Sequence, residues 1–259
     1  MNPHSWFGAG GDSSLKVLWE DGERVFCRRE SHADGYPAAV LAVLPAAEHP
    51  TAATLDRLAR EYGLKDELDG AWAVRPLELV RERGRIMLVL EDTCSEPLDR
   101  LLGVPMEVRS FLRIAIAVAA ALTQVHRRGL VHKDIKPTNI LVNRMTGEVK
   151  LTGFGIASRL PRERQAPAPP ESIAGTLAYM APEQTGRMNR SIDARSDLYA
   201  LGVTLYQMLT GSLPFTAADP MEWVHCHIAR KPVPPAERLE TVPTPLSAII
   251  MKLLAKTAE

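Results

Sequence analysis

Val131-His132-Lys133-Asp134-Ile135-Lys136-Pro137-Thr138-Asn139-Ile140-Leu141-Val142 is the stretch that orders the rest of the chain. It sets an aspartate two residues after a histidine, a lysine two residues further on, and an asparagine five residues after the aspartate. One such pattern arises by chance in many loops. Order makes it specific: Gly153-Phe154-Gly155, Gly175-Thr176, Ala181-Pro182-Glu183 and Ser196-Asp197-Leu198-Tyr199-Ala200-Leu201-Gly202 follow in turn. Immediately upstream, Glu107–Arg127 is small or apolar almost all round, which predicts a buried helix. Gly147-Glu148, between Val142 and Val149, predicts a hairpin turn. Downstream, residues 161–170 hold four prolines and predict an irregular loop, and Asp197–Thr210 and Ser247–Ala255 predict helices.

Towards the N-terminus the character changes. Residues 1–13 are rich in Gly and Ser and predict a loose tail. Leu15–Arg29 predicts two strands around a turn at Glu20-Asp21-Gly22-Glu23, and Ala38–Leu44 a third strand ended by Pro45. Thr54 starts a helix whose Leu55, Leu58 and Tyr62 fall on one face. Trp72–Arg81 and Arg85–Glu91 predict two further strands joined at Arg83-Gly84.

The chain has 259 residues, enough core for one large domain or two lobes. Lys+Arg and Asp+Glu are equal at 31 each, so no electrostatic footprint for nucleic acid or an anionic membrane follows. Cys27, Cys94 and Cys226 are scattered and odd in number, reading as thiols of a reducing compartment. The seven histidines show no ligand spacing. The apolar run Ile114–Leu122 is too short for a bilayer, and the N-terminus carries no signal-like pattern. A cytoplasmic protein without nucleic-acid or membrane partners is the expectation.

With its landmarks in this order, the chain resembles a protein kinase of the Ser/Thr type. The resemblance implies an α+β, two-lobed fold: a small antiparallel β lobe with one helix over residues 14–92, and a larger, mainly helical lobe over 93–259, truncated before the family's last helix. It implies ATP-dependent phosphoryl transfer to protein Ser/Thr, with ATP and Mg2+ as cofactors. Asp134 matches the catalytic carboxylate, with Lys133 where arginine is usual; Lys136 matches the lysine against the transferring phosphate, and Asn139 the amide ligand of a metal ion. Val25, Val40 and Leu141 match the residues that sandwich adenine, while Leu90 with Glu91, Asp92 and Thr93 matches the gate and hinge. Asp197 matches a scaffold aspartate that accepts backbone N–H groups. Glu183 matches a carboxylate whose arginine partner would lie beyond residue 259, so the chain reads as a fragment. Ser158, Ser172 and Thr176 are candidate phosphosites. The words Val131–Asn139, Gly155–Pro161 and Gly175–Arg190 are most similar to the kinase-like domain that opens very large bacterial sensor proteins, where an ATPase module, a GAF sensor and a histidine kinase follow. That implies a protein substrate or a signalling partner such as a sensor histidine kinase.

The nucleotide side departs from the pattern. The glycine-loop places hold Leu18, Glu20 and Glu23, with Gly22 out of phase. The phosphate-holding lysine of the third strand falls at Ala42, which leaves Glu61 without the cation that family members pair with it. Gly153 stands where the metal aspartate belongs. Arg24 and Lys16 are the nearest basic residues, and Arg24 should point to the opposite face from Val25. One lost electrostatic group in a dry site costs about 3–4 kcal/mol of barrier. The resemblance therefore implies weak or absent catalysis, and a pseudokinase that regulates by binding is the alternative.

Overall fold

The computed structural model describes residues 15–30, 39–82, 84–159 and 176–257. The predicted tail 1–13, the proline-rich loop 161–170, Ser172, Gly175, Ala38 and Arg83 lie outside them. The chain divides into two units: residues 1–95 with 152–155, and residues 96–151 with 156–259.

The first unit is built on an antiparallel sheet of five strands: β1 (Lys16–Glu20), β2 (Arg24–Glu30), β3 (Ala39–Pro45), β4 (Pro76–Glu82) and β5 (Arg85–Glu91), in the order β1-β2-β3-β5-β4. Alternation of apolar residues puts Val40, Ala42 and Leu44 on one face, in register with Cys27 and Val89 across the neighbouring strands. Cys27, Val40, Ala42, Val80, Met87 and Val89 form a buried cluster there, with Leu15, Val25, Leu44 and Leu77 packed against it. The helix of this unit, α1 (Ala52–Gly63), starts two residues before the expected Thr54 because Thr51 caps it, its Oγ1 accepting from the Thr54 N–H at 3.2 Å. α1 packs on β4 and β5. The expected strand at Trp72 begins only at Pro76: Trp72 and Ala73 donate their N–H groups to the Asp69 carbonyl in a turn.

In the second unit a small sheet, β6 (Glu96–Pro97), β7 (Ile140–Val142) and β8 (Val149–Leu151), carries the predicted Gly147 turn between its last two strands. Among the described residues five helices complete it: α2 (Val108–Arg127), α3 (Ala194–Thr210), α4 (Pro220–Ile228), α5 (Pro235–Arg238) and α6 (Thr244–Leu253). α4 and α5 were not expected from the sequence; α4 is short and starts at Asp219-Pro220, whose aspartate caps it by accepting from the Glu222 N–H at 2.9 Å. α3 is the core of the unit, buried on nearly every side. It ends at Gly211 with φ +73, where a Cβ would come within 2.9 Å of the Val104 carbonyl carbon. Full burial of large side chains such as Tyr206, Leu122 and Ile135 stabilises by roughly 1.5–3 kcal/mol each for the aliphatic ones.

Among the described residues one helix, α2, is long and apolar enough to cross a membrane, so the nine-residue run read from sequence understates it. Phe111, Ile114, Val118, Leu122 and Val125 on its inner face are buried in the unit. The α+β expectation holds: an antiparallel sheet with one helix in one unit, mainly helices in the other.

Candidate functional site

The loop after α2 is held from three directions within the second unit. Val131 exchanges both backbone hydrogen bonds with Ser158, at 2.9 and 3.0 Å. Asp197, fully buried in the first turn of α3, accepts from the His132 N–H at 2.9 Å and the Lys133 N–H at 2.7 Å. The Gln184 amide donates to the Lys133 carbonyl at 2.8 Å. Lys133 needs this support, because it sits at φ +67, a conformation that costs an L-residue about 1–2 kcal/mol. His126 also reaches Asp197, with Nε2 2.9 Å from Oδ2.

On that scaffold Asp134, Lys136 and Asn139 come together. The Asn139 amide donates to the Asp134 carbonyl at 2.8 Å and to Oδ2 at 2.9 Å. Lys136 Nζ lies 3.4 Å from the same Oδ2 and donates to Thr176 Oγ1 at 2.7 Å. The Thr176 N–H points at Asp134 Oδ1, 3.4 Å away. A carboxylate oriented by an amide, with an ammonium already holding a hydroxyl beside it, can position an incoming hydroxyl and counter negative charge on the group it attacks. The cleft beside it is lined by Asp134, Thr176, Tyr179, Met180 and Gln184. Tyr179 is a structural member: it donates to Gln207 Oε1 at 2.6 Å, and burial pushes its phenol up to about 12. Gln184 and His126 were not singled out from sequence, since nothing local marks a residue that props a distant loop. Glu183, expected to lack a partner, accepts from Ser196 Oγ at 2.5 Å.

The first unit holds Val25, Val40, Leu90, Glu91 and Thr93; Leu141 belongs to the second, as the middle residue of β7. Val40 and Leu90 are buried core residues, and Val25 packs on the same cluster as Val40. Glu91 donates its N–H to the Arg75 carbonyl at 3.0 Å, and its Oε2 accepts from Arg75 Nε at 3.0 Å. The Thr93 carbonyl accepts from Ser95 Oγ at 3.2 Å.

In the place of a glycine-rich loop stands a tight hairpin closed by Asp21 N–H to the Arg24 carbonyl at 3.1 Å. The Arg24 side chain is taken by Asp21, with Nε 2.9 Å from Oδ2, and lies over the Phe26 ring. Lys16 is exposed at the first position of β1. Glu23 pairs with Arg57 at 2.7 Å. Neither basic candidate takes over from the missing lysine, and Ala42 is fully buried among apolar side chains.

Glu61, 3 % exposed, solves its problem differently. Its Oε1 accepts from the Gly153 N–H at 2.8 Å and faces the Thr152 hydroxyl at 3.4 Å. Gly153 sits at φ +82, and a Cβ on Gly155 would meet Arg57 Cβ at 2.8 Å, so the segment lies directly on α1. Phe154 is fully buried, edge-on to Trp72 with ring centroids 6.4 Å apart. Among the described residues no cluster of three or more His, Cys, Asp or Glu is placed to hold a metal ion. Asn139 is the sole metal-ligand candidate from sequence; its amide nitrogen donates to Asp134, and an amide would hold a metal ion through its oxygen. Ala42 and Gly153 stand where the resemblance expects the lysine and the carboxylate that hold a magnesium nucleotide.

A family model described as protein kinase domain matches residues 31–259. The chain is 36% identical over 155 residues to the serine/threonine-protein kinase PknB of Mycobacterium tuberculosis, covering 60% of this chain and 24% of that protein. It is 38% identical over 178 residues to the serine/threonine-protein kinase Pkn1 of Myxococcus xanthus, covering 68% of this chain and 25% of that protein. It is 39% identical over 154 residues to the probable serine/threonine-protein kinase CPE1738 of Clostridium perfringens, covering 60% and 22%. The aligned part spans about a quarter of the length of these relatives.

Proposed function

We propose a function on one premise: this chain belongs to the protein kinase domain family. It acts as a Ser/Thr-kinase-like module of bacterial signal transduction in which transfer from ATP is weak or absent, and it works on a protein partner through its fold. Residues 14–92 make up its small lobe and 93–259 its large lobe. Asp134 orients a hydroxyl, Lys136 counters the charge of an anionic group, and Asn139 holds Asp134. Val25, Val40, Leu90, Glu91 and Thr93 of the first unit, and Leu141 of the second, keep the positions that the resemblance assigns to contacts with the base. The partner is a signalling protein such as a sensor histidine kinase, as in the large sensor proteins whose opening domain the sequence resembles, and the setting is cytoplasmic.

The observation that carries this reading is Glu61 accepting from the Gly153 N–H. In place of a lysine on one side and a metal aspartate on the other, the carboxylate is satisfied by backbone. A second reading, an active kinase, draws support from the arrangement of Asp134, Lys136 and Asn139. Thermal unfolding with saturating Mg-ATP, and with ATP plus chelator, separates the two. A ligand at about 100 times its Kd adds roughly 2.7 kcal/mol, a rise of about 5–10 °C at this size. The proposal expects no metal-dependent rise. Transfer of phosphate from Mg-ATP at an ordinary kinase rate of about 1–100 s⁻¹ that vanishes in Asp134→Asn overturns it.

A further inference from the structure

The outer face of α2 is an apolar surface left uncovered among the described residues, and it carries a charge pattern. Ile116 is 67 % exposed and Leu112 38 %, and Ala119, Ala120 and Thr123 continue the same face, also exposed. These positions lie within one side of a 3.6-residue helix, spanning about three turns. Of the apolar window that makes this helix long enough to cross a membrane, only a third is buried in the structure. The inner residues from Phe111 to Val125 account for that third.

Along α2 itself, Val108–Arg127, the formally charged side chains are of one sign. Arg109 and Arg113 stand at its N-terminal end and Arg127 at its C-terminal end, all exposed, and none of the three has an ion-pair partner among the described residues. Two acids border them: the exposed Glu148 follows Gly147 in the β7–β8 turn, and Glu107 is the cap of α2, its carboxylate accepting from the Arg109 N–H at 2.8 Å and the Ser110 N–H at 3.0 Å, which hold it below the usual carboxylate range. The Arg113 side chain runs against Gly147, where a Cβ would lie 3.1 Å from its Cδ, so the β7–β8 turn borders the face. In a chain with 31 basic and 31 acidic side chains, a helix whose formally charged residues are all arginines is a local departure from balance.

We propose that this face of α2 is a docking surface for an amphipathic helix of another protein, with a short apolar stripe bracketed by Asp or Glu at both ends. Leu112 and Ile116 supply the apolar contact, and the small side chains at Ala119 and Ala120 let a second helix approach closely beyond them. The arginines pair with its acidic ends and set its register. A second copy of this chain is disfavoured by charge, because two such faces laid together bring arginine against arginine in either direction. A lipid surface is disfavoured because only two large apolar side chains project, too little to enter the interface. The inference is independent of whether the chain transfers phosphate.

The test uses the 259-residue chain and a labelled helical peptide of about 18 residues, with leucines at i, i+4, i+7 and i+11 and glutamates at both ends, against its lysine-for-glutamate counterpart. Fluorescence anisotropy should show micromolar binding of the acidic peptide, weakened by salt, and at least tenfold weaker binding of the basic one. Ile116→Glu and, separately, Arg113→Glu with Arg127→Glu should each weaken the acidic peptide at least tenfold while leaving the unfolding midpoint in place, since all three positions are exposed. Absent binding, equal binding of the two peptides, or binding indifferent to these variants overturns the proposal. So does self-association that Ile116→Glu abolishes, or Ile116-dependent binding to anionic phosphatidylserine vesicles, which assigns the face to a second copy or to lipid.

Discussion

Replacing Glu61 by glutamine and by alanine asks what its carboxylate is for. It is 3 % exposed, accepts from the Gly153 N–H at 2.8 Å, and no basic side chain pairs with it among the described residues. In an intact family member the charge itself would matter, because a lysine faces it. Here only the acceptor oxygen matters. Glu61→Ala removes the acceptor and leaves the buried Gly153 N–H unpaired, an expected loss of about 2–4 kcal/mol. Glu61→Gln keeps an oxygen in place and gives up about 1 kcal/mol, the difference between a charged and a neutral acceptor. Against that, it removes the desolvation penalty of an ion buried without a counter-ion, which is of the order of several kcal/mol. Thermal unfolding should therefore place Glu61→Ala about 5–10 °C below the parent, and Glu61→Gln within about 2 °C of it or above. Amide exchange at Gly153 should accelerate in the alanine variant alone. A glutamine variant that falls as far as alanine would refute the reasoning, since it would mean that a cation holds Glu61 after all.

Three further outcomes follow from the same geometry. Gly153→Ala should cost about 1–2 kcal/mol for its φ of +82, and Gly153→Asp more, because its carboxylate adds a like charge near Glu61; equal melting temperatures for the two would show that no charge sits there. Asp197→Asn, which turns an amide N–H toward the His132 or Lys133 N–H it should accept, should lose about 3 kcal/mol in urea unfolding, and a loss under about 1 kcal/mol would dissociate Asp197 from the loop. His227 is buried and held neutral, its pKa pushed down to about 4 by burial and then by the nearby Lys256 cation. Because the unfolded chain takes up that proton near pH 6.5 and the folded chain refuses it until about pH 4, stability drops as pH falls through that window, by about 3 kcal/mol in all. His227→Gln should flatten this slope relative to the parent, and an unchanged slope would exclude His227 as its source.

How much was legible beforehand follows from how far apart the interacting residues lie. Strand alternation and helix periodicity report neighbours within a few positions, so β1–β3, α1 and α2 emerged with ends within two residues, and β5 with both ends in place. Trp72–Arg75 misled because a tight turn there buries apolar side chains without pairing in a strand. α4 was missed because its short run mixes His, Cys and Trp without an apolar period.

The sequence by itself determined the order of landmarks, the loop from His132 to Asn139, and the absence of a lysine at Ala42 and of a carboxylate at Gly153. Those are statements about which residue types are present at which spacing, and folding does not alter them. Only the tertiary structure decided what replaced the missing groups. Glu61 and Gly153 are 92 residues apart, and Asp197 lies 64 from Lys133; their hydrogen bonds depend on how α1 and α3 are packed. Arg24 was one of two nearest basic residues, expected on the far face, and the hairpin gave it Asp21; Glu183 was an orphan until α3 brought Ser196 to it. A buried polar group must find a partner or destabilise the fold, and which partner it finds is settled by packing.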